Sequence, residues 1–119
     1  MTKITFFMSD GVRWGFEETG HTGFGEIGDD VLCAALSAMT MLIVNAIEVT
    51  FFGKVDYVID ENTTDIKVLA KCALPAYEED ERVRFAVGGL ISAYFYQLMD
   101  MMEDYPEHLQ VDTIEKDPE

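Results

Sequence analysis

The sequence predicts an α+β fold: a two-layer sandwich with a mostly antiparallel sheet of about five strands and two helices packed on it. Three observations lead there. Short runs alternate strictly between apolar and polar residues and come in pairs around turn chemistry. Two longer segments carry apolar residues at helical spacing. The chain has 119 residues, 49% hydrophobic and 26% charged, which suits one domain with a single buried core and needs no disulfide or structural metal. The element order reads strand, strand, helix, strand, strand, helix, strand over a single domain of residues 1–115, with 116–119 expected to fray.

Residues 2–8 and 12–18 alternate, placing Ile4, Phe6 and Met8 on one face of the first run and Val12, Trp14 and Phe16 on one face of the second. Ser9-Asp10-Gly11 between them predicts a hairpin. A glycine-rich stretch follows, and Asp29 or Asp30 is placed to cap a helix over roughly 31–49. That helix is apolar on nearly every face, through Leu32, Ala35, Leu36, Met39, Leu42, Ile43, Ala46 and Ile47. It is therefore expected to be covered on two sides, by the sheet and by a helix or a second subunit. Its length approaches that of a membrane span, but Asn45 and Glu48 interrupt it, and a buried helix is the better reading.

Residues 54–59 and 65–71 resume the alternation around a polar turn at 60–64, with Val55, Tyr57, Ile59, Ile66, Val68 and Ala70 expected on the core face. Glu78, Glu79, Asp80 and Glu81 mark the start of the second helix. Val83, Val87, Leu90, Ile91, Tyr94, Leu98 and Met102 then recur at helical spacing up to Pro106. Gly88-Gly89 inside it costs roughly 1 kcal/mol per glycine relative to alanine, which suggests a close approach by another element. Residues 108–114 read as the last strand.

Charge narrows the partners. With 23 acidic and 8 basic residues the formal net charge is −15, which repels phosphate backbones and attracts basic proteins. Nucleic acid is not an expected partner. The apolar start of the chain is too short for a signal peptide, so a cytoplasmic location is expected. The two cysteines, Cys33 and Cys72, are expected to be free thiols in a reducing compartment.

The stretch that draws attention is 20–37, GHTGFGEIGDDVLCAALS. Gly23, Gly25 and Gly28 fit the G-x-G-x-x-G spacing of dinucleotide-binding loops, but the preceding strand belongs to a hairpin and no series of parallel crossover units follows. Tight turns account for these glycines without a ligand. Cys33 is placed in the first turn of the predicted helix, where free amides and the helix dipole can lower a thiol pKa from about 8.5 to about 3.5–7.5. His21 lies where the loop can fold it back onto the helix start, and a thiolate–imidazolium pair provides a nucleophile and a proton donor. An inert core cysteine is the competing reading for Cys33 and the adopted one for Cys72; His108 reads as a surface residue. Asp30 has three readings: helix cap, orienter of His21, or metal ligand with His21 and Cys33. The last lacks further ligands, so no metal and no cofactor are expected. Ser37, one turn beyond Cys33, is placed to bond the thiol, a loop amide or its own helix carbonyls.

Taken together, Gly20-His21, Gly25, Gly28, Asp30, Cys33-Ala34 and Ser37 resemble the signature of the ribosomal-processing cysteine protease family Prp, and the element order agrees along nearly the whole chain. The resemblance implies a homodimeric α+β peptidase that removes the N-terminal extension of large-subunit ribosomal protein twenty-seven, cutting after a short aromatic-rich sequence. It also implies that Cys33 is the nucleophile and His21 the general base, with Asp30 and Ser37 in support. Gly20, Gly23, Phe24, Gly25, Ile27 and Gly28 would form a mobile loop that orders over the substrate, with Phe24 and Ile27 touching it. Two other classes remain open on the residues alone: a non-catalytic acidic dimer that binds a basic ribosomal protein, and a redox sensor built on the same thiol.

Overall fold

The computed structural model describes residues 1–20, 27–63 and 65–119, the side chains of residues 27–30 excepted. Asp10 and Gly11 both take positive φ, 49° and 77°, the backbone that a two-residue type I′ turn requires. They join β1 (Thr2–Ser9) to β2 (Val12–Thr19) as an antiparallel hairpin closed by the Ser9–Val12 pair. The register slips once: Phe7 pairs with Gly15 and Met8 with Arg13, leaving Trp14 as the extra residue of a bulge. The bulge explains a departure from simple alternation. Phe7 is buried against Trp14, with ring centroids 5.6 Å apart, while Met8, expected in the core, is only half-buried.

The remaining strands are β3 (Asp56–Ile59), β4 (Ile66–Leu69) and β5 (Leu109–Glu115), in the spatial order β3-β4-β2-β1-β5. All pairings are antiparallel except β1 with β5. The mixed five-stranded sheet with two helices is the α+β sandwich the alternation predicts. One strand departs from expectation. Val55 is buried just ahead of β3, but Tyr57 and Ile59 are exposed, because β3 is the outermost strand and pairs only with β4.

Helix α1 (Ile27–Asn45) runs into a π-helical turn at Ala46–Thr50. The wider winding shows in the bond from the Phe51 amide to the Ala46 carbonyl at 2.9 Å. Leu32, Leu36, Thr40, Ile43, Val44 and Ile47 form its buried stripe, whereas Val31, Leu42 and Val49 are 54%, 65% and 69% exposed. Helix α2 (Glu81–Asp104) meets this helix at Thr40 and Tyr94, with hydroxyl oxygens 3.5 Å apart, but the described residues of this chain leave those three apolar side chains uncovered. Helix α2 starts where the acidic cluster places it: Asp80 caps it by accepting a bond from the Arg82 amide at 2.9 Å. Val87, Ile91, Tyr94 and Leu98 are its buried residues. Phe6 and Phe16 meet Tyr94 at ring-centroid distances of 5.9 and 5.1 Å, and this aromatic cluster locks α2 to the centre of the sheet.

Gly88 and Gly89 do not mark a close approach: a Cβ at Gly88 would meet only Val12 at 3.5 Å, and one at Gly89 would meet nothing within 4 Å. Nor does the end of the chain hang free as expected. The Lys116 amide donates to the Met8 carbonyl, the Trp14 indole donates to the Lys116 carbonyl, and Ser9 donates to Asp117 at 2.6 Å. His108 is half-buried, and its carbonyl accepts the Thr2 amide at 2.8 Å.

Gly20, expected in the mobile loop, is fixed by its surroundings. Its φ is +79°, and a Cβ there would stand 2.5 Å from the Met1 carbonyl oxygen. Gly20→Ala therefore combines an unfavourable backbone with a collision against main chain. We expect it to lower stability by about 2 kcal/mol, read as a lower urea midpoint with an unchanged slope.

Candidate functional site

Glu18 follows Phe16 on the inward phase of β2, and it is completely buried. Its partners across the sheet are Ile4 of β1 and Ile66 of β4, both buried, so its carboxyl enters a layer that is otherwise apolar. Two helices reach it. The Tyr94 hydroxyl of α2 donates to Glu18 Oε1 at 2.5 Å, and the Thr40 hydroxyl of α1 donates to the same oxygen at 3.0 Å. The two hydroxyl oxygens are 3.5 Å apart. Sheet, α1 and α2 thus meet at one carboxyl oxygen.

Burial disfavours the charged form and the two hydroxyls favour it. Burial is the larger effect, and the pKa of Glu18 is pushed up to about 7. Tyr94 is driven well above the usual phenol range, first by burial and then by the carboxylate beside it. No sequence motif marked these three residues. The signal available was phase: positions 12, 14, 16 and 18 share one side of an ideal strand, and a charged residue continuing an apolar series is the anomaly.

Cys33 is half-buried on α1. It lies seven residues before Thr40, hence two turns away on the same side of the helix, about 10 Å along the axis. The helix begins earlier than its acidic pair suggests. Since α1 starts at Ile27, Asp30 lies inside the first turn and is not the N-cap, although a carboxylate there still suits the helix dipole. Cys33 is the seventh helical residue, past the free amides of the first turn, where the dipole effect has faded. The helix start alone does not account for activation of this thiol. Ser37, the next turn along, is exposed.

Ile27 and Gly28 belong to α1 and not to the loop before it. His21, Gly23, Phe24 and Gly25 lie outside the described residues, as do the side chains of Ile27 and Asp30. The second thiol differs from the first. Cys72 follows β4 in a short 3-10 turn, Lys71–Ala73, and is 3% exposed, and burial pushes its thiol pKa up. That is the inert core cysteine the sequence predicts. Among the described residues, no three His, Cys, Asp or Glu side chains are gathered as metal ligands would be.

Comparison with known proteins extends this picture. The family model described as cysteine protease Prp matches residues 1–110. SMU.848 from Streptococcus mutans shares 28% identity and superposes with a TM-score of 0.78, covering 98% of this chain and 99% of that one. The ribosomal processing protease Prp from S. aureus, crystallised with a substrate peptide, shares 19% identity at a TM-score of 0.78. The coverage there is 96% of this chain and 100% of that one. The same S. aureus protease with a covalently linked product peptide gives 21% identity and a TM-score of 0.75, at the same coverage. No curated protein matches the chain.

The buried carboxyl makes stability depend on pH with a definite sign. Folded Glu18 holds its proton up to about pH 7, whereas the unfolded side chain releases it near 4.5. Its contribution is therefore complete below about pH 4.5 and is lost as the pH rises through about 7. Glu18→Gln has no proton to lose. Relative to the unaltered chain it is expected to gain about 3 kcal/mol between those limits, measured by urea unfolding at both pH values. A difference that stays constant with pH would remove the raised pKa from the description.

Proposed function

We propose, taking as premise that the chain belongs to the cysteine protease Prp family, that it is a cysteine endopeptidase acting on the N-terminal extension of large-subunit ribosomal protein twenty-seven. Family membership rests on the match over residues 1–110, and the substrate is the one the sequence signature implies. A fold shared with an S. aureus protease crystallised with a substrate peptide supports the reading. So does the net charge of −15, which favours encounter with a basic ribosomal protein.

The observation that carries the assignment of the nucleophile is the contrast between the two thiols. Cys72 is sealed in the core with a raised pKa, while Cys33 is half-buried at the border of the α1 stripe. In the proposed reaction the Cys33 thiolate attacks the scissile carbonyl carbon, and backbone amides hold the oxyanion that forms. His21, having taken the thiol proton, returns it to the leaving amine as the C–N bond breaks. Water then hydrolyses the thioester, with His21 acting as base, and the thiol is restored. Asp30 and Ser37 are kept as supporting residues: Asp30 is two residues before Leu32 at the start of the buried stripe, and exposed Ser37 is one turn beyond Cys33. The active unit is proposed to be a homodimer. Val31, Leu42 and Val49, left exposed along α1, are the apolar surface that a second copy would cover.

Incubating the chain with the N-terminal region of the ribosomal protein from the same organism should release a short peptide, identified by mass spectrometry. Cys33→Ala is expected to reduce cleavage by roughly a thousandfold or more, and Cys72→Ala is expected to leave it within about twofold. Cleavage that survives Cys33→Ala would overturn the assignment. Binding without cleavage by the unaltered chain would favour a non-catalytic partner.

A further inference from the structure

A buried carboxyl whose neighbours on both adjacent strands are isoleucines is expensive to keep. Burial disfavours its ionised form, and a well-packed apolar residue or an amide at the same position commonly serves stability as well or better. In a chain already at −15, a further acid in the core adds nothing to solubility. What distinguishes Glu18 is its place. It lies three residues before His21 in the strand that leads to it. It is also hydrogen-bonded to Thr40, which shares one side of α1 with Cys33. Tyr94 fixes the same oxygen from α2 at 2.5 Å.

We propose that Glu18 is a positioning residue of the peptidase site, its carboxyl joining the strand that leads to His21 to the helix that carries Cys33, with Tyr94 and Thr40 as the braces. The proposal rests on the peptidase reading given above. Both hydroxyls donate to the same oxygen, so the join is strongest when Glu18 is ionised and slackens when it is protonated. The groups set around it on the described elements are Tyr94 from α2, Thr40 from α1, Ile4 from β1 and Ile66 from β4. Of these only Tyr94 is titratable, and it remains a neutral donor through the working pH range. Ionisation of Glu18, near pH 7, is therefore coupled to how β2 is held against the helix that carries Cys33. Activity should rise with the carboxylate while stability falls, a trade commonly found where function needs a group the fold would rather not bury.

The test is the pH profile of kcat and KM for cleavage of the N-terminal extension peptide, from about pH 5.5 to about 9, with folding checked by circular dichroism at each point. Alkylation of Cys33 by iodoacetamide, located by mass spectrometry, is followed over the same range as a readout that needs no substrate. Glu18→Gln is expected to lower kcat on the order of tenfold or more, with KM within about twofold, and to remove one ionisation from both profiles. Tyr94→Phe takes away a donor to the carboxylate and should move that ionisation to higher pH. Thr40→Val should act in the same direction, and Thr40→Ser should restore what Thr40→Val loses. Profiles for folded Glu18→Gln and Tyr94→Phe that superimpose on the unaltered chain in both readouts would overturn the proposal, even if cleavage itself is confirmed. A chain that cleaves no peptide, yet whose Cys33 alkylation profile shifts in these variants, would instead overturn the peptidase reading and leave the coupling standing.

Discussion

Two hydroxyls donating to one buried carboxylate oxygen hold the three parts of this molecule together. Glu18 stands in the middle of the sheet, Thr40 on the helix that carries Cys33, and Tyr94 on the helix that packs against Phe6 and Phe16. Hydrophobic burial supplies most of the stability of such a sandwich, but apolar contacts are non-directional and tolerate small slides of a helix over a sheet. A hydrogen-bonded group in a low-dielectric layer does not, because each misplaced donor leaves a polar atom unsolvated. The directional join therefore fixes where both helices sit along the strands, and it does so at the end of β2 from which the chain continues to His21.

The same geometry alters how Cys33 is understood. Were the thiol in the first turn of its helix, free amides and the helix dipole would by themselves favour a thiolate. The structure places it one turn further in, at the seventh position of α1. In the proposed mechanism, activation then cannot rest on the helix start alone, and the precision with which α1 is held relative to β2 becomes part of that proposal. Cys72 shows the opposite environment within the same chain, a thiol sealed in the core and pushed up in pKa by burial.

Much of the fold was legible in the sequence. Alternation placed both hairpins, the Asp10-Gly11 turn gave its own backbone signature, and Asp80 and the apolar stripe of α2 appeared where helical spacing and capping put them. The misses have local physical causes. A single extra residue at Trp14 reversed the phase of the first hairpin, so that Phe7 took the buried place expected of Met8. Edge position left Tyr57 and Ile59 exposed despite correct alternation. Two adjacent carboxylates near a helix start suggest a cap from sequence, although they serve almost as well inside the first turn, where α1 holds them. For the site, burial agrees with the core reading that sequence context suggests for Cys72, while the buried carboxyl carries no such signal, since its meaning depends on Thr40 and Tyr94 arriving from residues far along the chain. A charged side chain in phase with Phe16 was the only local trace of it.

The most direct measurement is a carbon-13 NMR titration of the Glu18 side-chain carboxyl in the folded protein, repeated in Tyr94→Phe. A midpoint near pH 7 that moves upward when the tyrosine hydroxyl is removed is the result expected from a buried carboxylate held by that donor. A midpoint in the ordinary glutamate range, near 4.5 and indifferent to Tyr94, would contradict it, and with it the role assigned to this carboxyl in holding sheet and helices in register.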